Sequence, residues 1–330
     1  MYALQVNPNR TFTYVEMAFF SMWWENQDEK MKQMVQNFVQ SGQLSFVNGG
    51  WCMHDEATTH FMGMIDQMTL GHGFLKSQIG YIPTVGWQLD PFGHSKFHAW
   101  MSRQMGFNSL YFGRIDHIDL KLRQDAQLCE SIWSTSSSSS TTAAFSHDSS
   151  DIFFSLTGSY NGGYGPPIQG FCFDVNCADE PLTGLTPNAL QSRVDIFSKA
   201  LQLQASRTRG NHILITMGED FQYENAFVNF KNVDLLIKTL NDLPLEYVRS
   251  NIDTKLNGIR VFYSNPETYT RAKYDEWKQI NVTRSLQLKH DDFFPYSDCD
   301  HCYWSGFYTS RPLLKRLDRI SSAFLNGKKN

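Results

Sequence analysis

Strand-like and helix-like segments alternate through the first 115 residues, and this alternation constrains the fold more than any other feature. Short apolar runs at residues 44–47, 84–89 and 109–112 are typical of strands. Within residues 25–41 the apolar side chains recur at helical spacing, and Gly42 follows where a left-handed helix cap would lie. This βαβα order predicts an α/β protein with a mostly parallel sheet, either open or closed into a barrel.

The size and charge of the chain narrow the class of protein. Its 330 residues are 41% hydrophobic, which is enough to build a full-sized core. The charge is balanced, with 29 basic and 33 acidic residues and no basic block, which argues against a nucleic acid or an anionic membrane as partner. No apolar run is long enough to span a bilayer, and Met1 to Arg10 lack the pattern of a signal peptide.

The alternation breaks after the first third of the chain. Residues 134–142 are only serine and threonine, which predicts a mobile low-complexity loop at the surface. Residues 157–167 are rich in glycine and proline and predict a second long loop. Regular structure is expected to resume with a helix at 188–205 and with two further strands, His212–Met217 and Ile259–Tyr263.

Charged side chains follow several of the predicted strands, where catalytic residues of parallel α/β sheets are found. They are Asp55, Glu56, Asp90, Arg114, Glu219 and Asp220. Carboxylates beside an arginine and many aromatic residues suit a sugar-cleaving site, in which two carboxyl groups act as nucleophile and general acid/base. Acidic residues after strands are more often helix caps or solvated loop residues. Spacing alone therefore indicates no more than an α/β enzyme with an acidic, aromatic site.

One motif carries the interpretation further. The segment Trp87-Gln-Leu-Asp90-Pro-Phe-Gly-His94-Ser95 closely resembles the nucleophile segment of glycoside hydrolase family 38, the lysosomal and Golgi-type α-mannosidases. Other segments resemble the same family in the same order, closest to its lysosomal branch: Phe12–Ser21, Asn48–Trp51, Asp55–Ala57, Met217–Ala226, His290–Tyr296 and Tyr303–Pro312. The resemblance covers nearly the whole chain, and it implies an incomplete seven-stranded β/α barrel.

The resemblance also implies a role for particular residues. Asp90 matches the nucleophile, which is also a zinc ligand, and Asp220 matches the general acid/base. Phe92 and Arg114 match residues beside the nucleophile, and Tyr164 lies in the loop that supplies a tyrosine near the sugar. The implied reaction is zinc-dependent hydrolysis of terminal α-linked mannose from N-glycan-type oligosaccharides, with retention of configuration.

Two parts of the family pattern are missing. No His-x-Asp-x-Gly-Trp motif, which supplies two zinc ligands in the family, occurs in the sequence, and the family's remaining histidine ligand lies beyond Asn330. We therefore expect residues 1–330 to be the N-terminal catalytic domain truncated at both ends, without its first strand. With Asp90 as its one ligand, this chain should hold zinc weakly and turn over α-mannosides poorly or not at all. For the full-length protein, the resemblance implies a lysosomal or secretory location.

The glycosylation sequons and the cysteine residues are weaker evidence than the motifs above. Two glycosylation sequons begin at Asn9 and Asn281, and the resemblance implies a disulfide between Cys172 and Cys177. The Cys299-Asp-His-Cys302 segment is more consistent with a disulfide or free thiols than with a zinc knuckle, because supporting ligands are missing.

Histidines near the matched motifs look more structural than catalytic. We expect His94 to pack beside the nucleophile segment rather than to bind metal, and the segment His290-Asp-Asp292 to form a structural network.

Two other functions stay open. A chain that has lost turnover could still bind mannose-type glycans. A metal-dependent carbohydrate esterase on a similar barrel would need a His-x3-His ligand pair, a spacing that occurs in this sequence only at His94 and His98.

Overall fold

The strands of the chain lie in two sheets. The computed structural model describes residues 1–135, 151–157, 163–174, 179–251, 258–280 and 288–327. Within these residues the strands are β1 Phe12–Tyr14, β2 Leu44–Phe46, β3 Val85–Gln88, β4 Ser109–Phe112, β5 Glu130–Trp133, β6 Ile152–Leu156 and β7 Leu288–Lys289. β1 pairs with β2, and the other five follow the order β3-β4-β6-β5-β7. All of these pairs are parallel except β5 with β6.

Helices connect and cover the strands. The described helices are α1 Tyr2–Val6, α2 Met17–Glu25, α3 Glu29–Ser41, α4 Phe61–Gln78, α5 Lys96–Gln104, α6 His117–Asp125, α7 Pro187–Ser206, α8 Ala226–Asn241, α9 Leu245–Asn251, α10 Pro266–Gln279, α11 Gly306–Thr309 and α12 Pro312–Gly327. Gly42 ends α3 in the left-handed region with φ of 80°, as predicted. Ser95 caps α5 by accepting a hydrogen bond from the Phe97 N–H.

Asn48 links the two sheets through hydrogen bonds. Asn48 follows β2, donates its N–H to Val85 O at 2.7 Å, and accepts from the Trp87 N–H through its side-chain oxygen. The α/β class and the mostly parallel sheet are therefore confirmed. Among the described residues β1 and β7 each have one strand neighbour, so the seven-stranded barrel stays a prediction.

The two later strands predicted from the sequence were wrong. Residues 212–217 and 259–263 are in neither sheet. Polar groups of the first segment bond elsewhere: Thr216 Oγ1 donates to Gly163 O at 2.8 Å, and Leu214 O accepts from the Gln204 side chain. An apolar run predicts a strand only where a neighbouring strand supplies the ladder, and these contacts take its place.

Aromatic side chains fill the core beneath the strand ends. Phe112, Trp133, Phe154 and Phe293 are buried together, with the Trp133 and Phe293 rings 4.9 Å apart. This packing fixes β4 and β6, the strands that Arg114 and Tyr164 follow in the chain.

Some predictions fall on residues outside the description. They include most of the Ser/Thr segment (136–142), residues 158–162 of the glycine- and proline-rich loop, Asn281, and the Cys172–Cys177 pairing, because Cys177 is not described. Ser134, at the start of the Ser/Thr segment, is described: it is buried and donates its N–H to Lys289 O. None of the described helices has the length and hydropathy needed to cross a membrane.

Candidate active site

Strand register brings Asp90 and Arg114 together. In the parallel pair β3 and β4, Gln88 lies opposite Phe112, and each charged residue follows two positions later. Arg114 Nη2 donates to Asp90 Oδ1 at 3.0 Å. The Asp90 side chain is 67% exposed, so this pair contributes only about 0 to 1 kcal/mol to stability. Its importance is that it orients the carboxylate.

Tyr164 completes this cluster. Its hydroxyl donates to Asp90 Oδ1 at 2.6 Å and accepts from Arg114 Nη2 at 3.4 Å. Burial, together with the bond to Asp90, raises the pKa of Tyr164 above its ordinary value, so the hydroxyl keeps its proton at neutral pH. Both bonds end on Oδ1, and none of the described residues binds Oδ2. One oxygen of an exposed carboxylate is therefore accessible for chemistry.

An aromatic wall lies beside the cluster. The Phe92 ring is 5.6 Å from Trp304 and 4.9 Å from Phe307, and the Arg114 guanidinium is 5.2 Å from the Trp304 ring centre. Tyr296 packs against Trp304 at 5.1 Å. Sequence reasoning assigned a role only to Phe92 among these aromatic residues. The available signal was that Trp304 and Tyr296 lie in segments that resemble the family.

Asp220 lies on a separate turn that reaches the cluster through Tyr164. The Gly218 N–H donates to Tyr164 O at 3.2 Å, and Asp220 follows two residues later with an exposed side chain. No hydrogen bond or ion pair joins Asp220 to Asp90. Asp220, Glu219 and Tyr164 line a cavity of about 700 Å³. The structure thus groups Asp90 with Arg114 and Tyr164, and places Asp220 on the neighbouring turn.

The sequence grouped Glu56 with the carboxylates that follow the strands, but in the structure its side chain does not lie at that surface. Its side chain is fully buried, with Oε1 at 3.0 Å from His94 Nδ1 and 3.1 Å from His98 Nδ1. His54 stacks edge-on against His98, with ring centres 4.8 Å apart. The expectation that His94 is a packing residue agrees with its burial and its 4.2 Å ring contact with Phe112. A carboxylate can be buried here because imidazole donors surround it.

These buried groups should make stability depend on pH. Burial lowers the pKa of His54 to about 4 and those of His94 and His98 to about 3, whereas unfolded histidine titrates near 6.5. Between these values the unfolded chain binds more protons than the folded chain. Burial raises the pKa of Glu56 from its ordinary 4.5 to about 7 in the folded chain. Between these two values the folded chain binds the extra proton, so Glu56 opposes the effect of the histidines. Three histidines outweigh one carboxyl, so stability should fall as pH falls from 6.5 toward 4.5, by about 1.4 kcal/mol per pH unit for each net proton.

Urea unfolding at pH values across this range measures that slope. The His54→Gln variant is the matched test, because it removes one of the titrating histidines and should make the slope shallower. Equal free energies of unfolding at pH 6.5 and pH 5 in the unchanged chain would contradict the buried, neutral state of these histidines.

Comparison with known proteins identifies the family. The glycosyl hydrolases family 38 N-terminal domain matches residues 1–299. The chain belongs to glycosyl hydrolase family 38. It is 42% identical to the lysosomal alpha-mannosidase of Cavia porcellus and 40% identical to that of Homo sapiens, in each case over 98% of this chain. It is 43% identical, over 96% of its length, to an alpha-mannosidase of Arabidopsis thaliana. The chain spans about 30% of the length of these relatives.

A solved structure shares the fold. The crystal structure of an alpha-mannosidase from Enterococcus faecalis V583 superposes with a TM-score of 0.56 over 88% of this chain and 27% of its own, at 17% sequence identity. At that identity the likeness supports the mixed α/β fold of this family 38 chain.

Proposed function

We propose that this chain carries the catalytic carboxylate pair of a retaining α-mannosidase, with Asp90 as nucleophile and Asp220 as general acid/base. The observation that carries the proposal is the Arg114–Asp90–Tyr164 cluster beyond neighbouring strands, in a member of family 38. The proposed substrates are N-glycan-type oligosaccharides with terminal α-linked mannose. Phe92, Arg114 and Tyr164 are proposed to contact the sugar.

The proposed reaction inverts the anomeric carbon twice. Asp90 attacks that carbon while its bond to the leaving oxygen breaks, and Asp220 gives its proton to the departing oxygen. Asp220, now a carboxylate, takes a proton from a water that attacks the same carbon, and Asp90 is released. Mannose leaves in the α configuration. Retaining enzymes of this kind hold their two carboxyl groups about 5 to 5.5 Å apart, which is the separation we propose for the substrate-bound enzyme.

Arg114 and Tyr164 are assigned the orientation of the nucleophile. Both bind Oδ1, so they leave Oδ2 to face the sugar. The guanidinium and the phenol hydroxyl are both donors to this carboxylate, and the carboxylate is the form that attacks the sugar.

We further propose that the strands curve into the incomplete β/α barrel that the family resemblance implies. Two observations are consistent with such a barrel. Asn48 joins the strand pair β1–β2 to β3, and β1 has one strand neighbour among the described residues. Residues Phe12–Tyr14 of β1 line the same cavity as Asp220.

Zinc is implied by the resemblance, but the described residues around Asp90 do not fit it. A catalytic zinc takes at least three protein ligands, whereas the groups at Asp90 are an arginine and a tyrosine hydroxyl. The one clustered set of candidate ligands within the described residues is Asp298, Cys299 and Cys302, and its two sulfurs are joined in a disulfide. No step of the reaction is therefore assigned to zinc, and zinc dependence is a matter for the assay below.

We also propose a lysosomal or secretory location. Two relatives at 40% identity or more are named as lysosomal enzymes. The Cys299–Cys302 disulfide is typical of an oxidising compartment, and Asn9 of the first sequon is exposed.

Hydrolysis of an aryl α-mannoside tests the proposed function. We expect the chain to release the phenol from 2,4-dinitrophenyl α-mannoside but not from the matched β-mannoside. Release should be slow, because the described residues supply only Asp90 of the zinc ligands that the resemblance implies. Parallel reactions with and without added zinc measure metal dependence. Binding of mannose-terminated glycans without any hydrolysis would contradict the proposal and favour the alternative of a mannose-binding remnant.

A further inference from the structure

The Asp90 side chain has few contacts of its own. Among the described residues its carboxylate touches only Arg114 and Tyr164, and it is mostly exposed. Its position is therefore set by the backbone of the loop between β3 and α5. A loop of this kind holds a reactive atom accurately only if buried contacts fix it, because about 1 Å of misplacement can cost 100-fold in rate.

Glu56 supplies the buried contact at the far end of this loop. Its Oε2 accepts the Ser95 N–H at 2.9 Å, while its Oε1 faces His94 Nδ1 and His98 Nδ1. One carboxylate therefore accepts hydrogen bonds from both residues that end the loop, and it lies against His98 in the first turn of α5. Neighbouring backbone bonds fix the same stretch, including the Gly93 N–H to Arg114 O at 3.1 Å.

The histidine tautomers follow from this arrangement. Burial lowers the pKa of both imidazoles, so each is neutral and carries one N–H. The N–H of His98 belongs on Nδ1, because its Nε2 lies 3.4 Å from the amide nitrogen of Gln88 and the hydroxyl of Ser102, which can both donate. His94 likewise directs Nδ1–H to Glu56, and its Nε2 has no hydrogen-bond partner among the described residues. Glu56 is thus the common acceptor for two donors, the His94 imidazole and the Ser95 N–H, with His98 Nδ1 also 3.1 Å from its Oε1.

We propose that Glu56 is a positioning residue for the Asp90 nucleophile: it holds the loop through His94 and Ser95 without touching substrate. This inference rests on the proposed function, since it assigns a task in the same reaction. A glutamine in this place has the same size, but its amide nitrogen cannot accept a hydrogen bond. Glu56→Gln should therefore release one of the two donors while leaving the surrounding packing in place.

Kinetics and hydrogen exchange of Glu56→Gln test the proposal. With an aryl α-mannoside, kcat should fall about 10- to 100-fold with KM changed less than about threefold, because the loop moves while the sugar contacts remain. Amides of residues 92–96 should exchange faster than in the unchanged chain. The control is Asp234→Asn on α8, another carboxylate that accepts several bonds, from Arg10 and Tyr263. It should leave both kcat and the exchange of residues 92–96 unchanged.

Variants of His94 separate positioning from packing. In His94→Asn the side-chain amide places an N–H where Nδ1 was, whereas His94→Ala has no donor. Positioning predicts that His94→Asn keeps most of kcat and that His94→Ala loses as much as Glu56→Gln. Equal losses in the two His94 variants, or unchanged exchange of residues 92–96 in Glu56→Gln, would overturn the proposal. If the unchanged chain hydrolyses no α-mannoside, the proposed function fails, and the exchange data still decide whether Glu56 holds the loop. If Glu56→Gln does not fold, the two His94 variants test the proposal by themselves.

Discussion

Replacing Asp90 with asparagine should lower α-mannoside hydrolysis by at least about a thousandfold. The amide oxygen can still accept hydrogen bonds from Arg114 and Tyr164, so the loop keeps its shape. An amide is too weak a nucleophile to form the covalent intermediate, even when the leaving group is good. The loss should therefore be as large for 2,4-dinitrophenyl α-mannoside as for a natural disaccharide. Steady-state assays with both substrates measure it.

The control for this variant is Asp125→Asn. Asp125 is an exposed carboxylate at the end of α6 that pairs only with Lys121 among the described residues. Its replacement should leave kcat/KM unchanged. If Asp90→Asn retained more than a tenth of the activity, the nucleophile would have to be another residue.

Asp220→Asn should give a loss that depends on the leaving group. For a disaccharide, whose alkoxide must be protonated, we expect kcat/KM to fall about 100- to 10,000-fold. For dinitrophenolate, which leaves without a proton, formation of the intermediate should be nearly normal. Its hydrolysis should still be slow, because no general base activates water. Rapid mixing should then show a burst of dinitrophenolate followed by slow turnover.

Glu219→Gln is the matched control, because it changes the neighbouring carboxylate on the same turn. Glu219 lines the same cavity as Asp220, so position alone does not separate them. We expect Glu219→Gln to show no burst and no dependence on the leaving group. If Glu219→Gln showed the burst and Asp220→Asn did not, the general acid/base would be Glu219.

The half of the site that depends on strand order could be predicted from the sequence. Asp90 and Arg114 both follow short, buried apolar runs by two residues, and parallel neighbours put such positions at one edge of the sheet. The contact of Tyr164 with Asp90 crosses 74 residues and a long loop. No periodicity predicts a contact of that kind, and it was expected only because the loop resembles the family.

Other parts could not be predicted because they depend on tertiary partners. Glu56 stands next to Asp55 after an apolar strand, and by spacing both looked like surface carboxylates. Burial of Glu56 depends on His94 and His98, which lie about 40 residues later. The run at 212–217 has a strand's composition, but its polar groups find partners in the Tyr164 loop and α7 rather than in a sheet.

The most direct test of the proposed mechanism is to trap the nucleophile. A 2-deoxy-2-fluoro or 5-fluoro α-mannosyl fluoride loses fluoride without protonation, and its ring fluorine slows the second step so that the covalent intermediate accumulates. Peptide mass spectrometry of the treated chain should then find the fluorosugar mass on Asp90, in the unchanged chain and in Asp220→Asn alike. Labelling of Glu219 or Asp220, or α-mannoside hydrolysis that inverts configuration with no labelled peptide, would contradict the assignment.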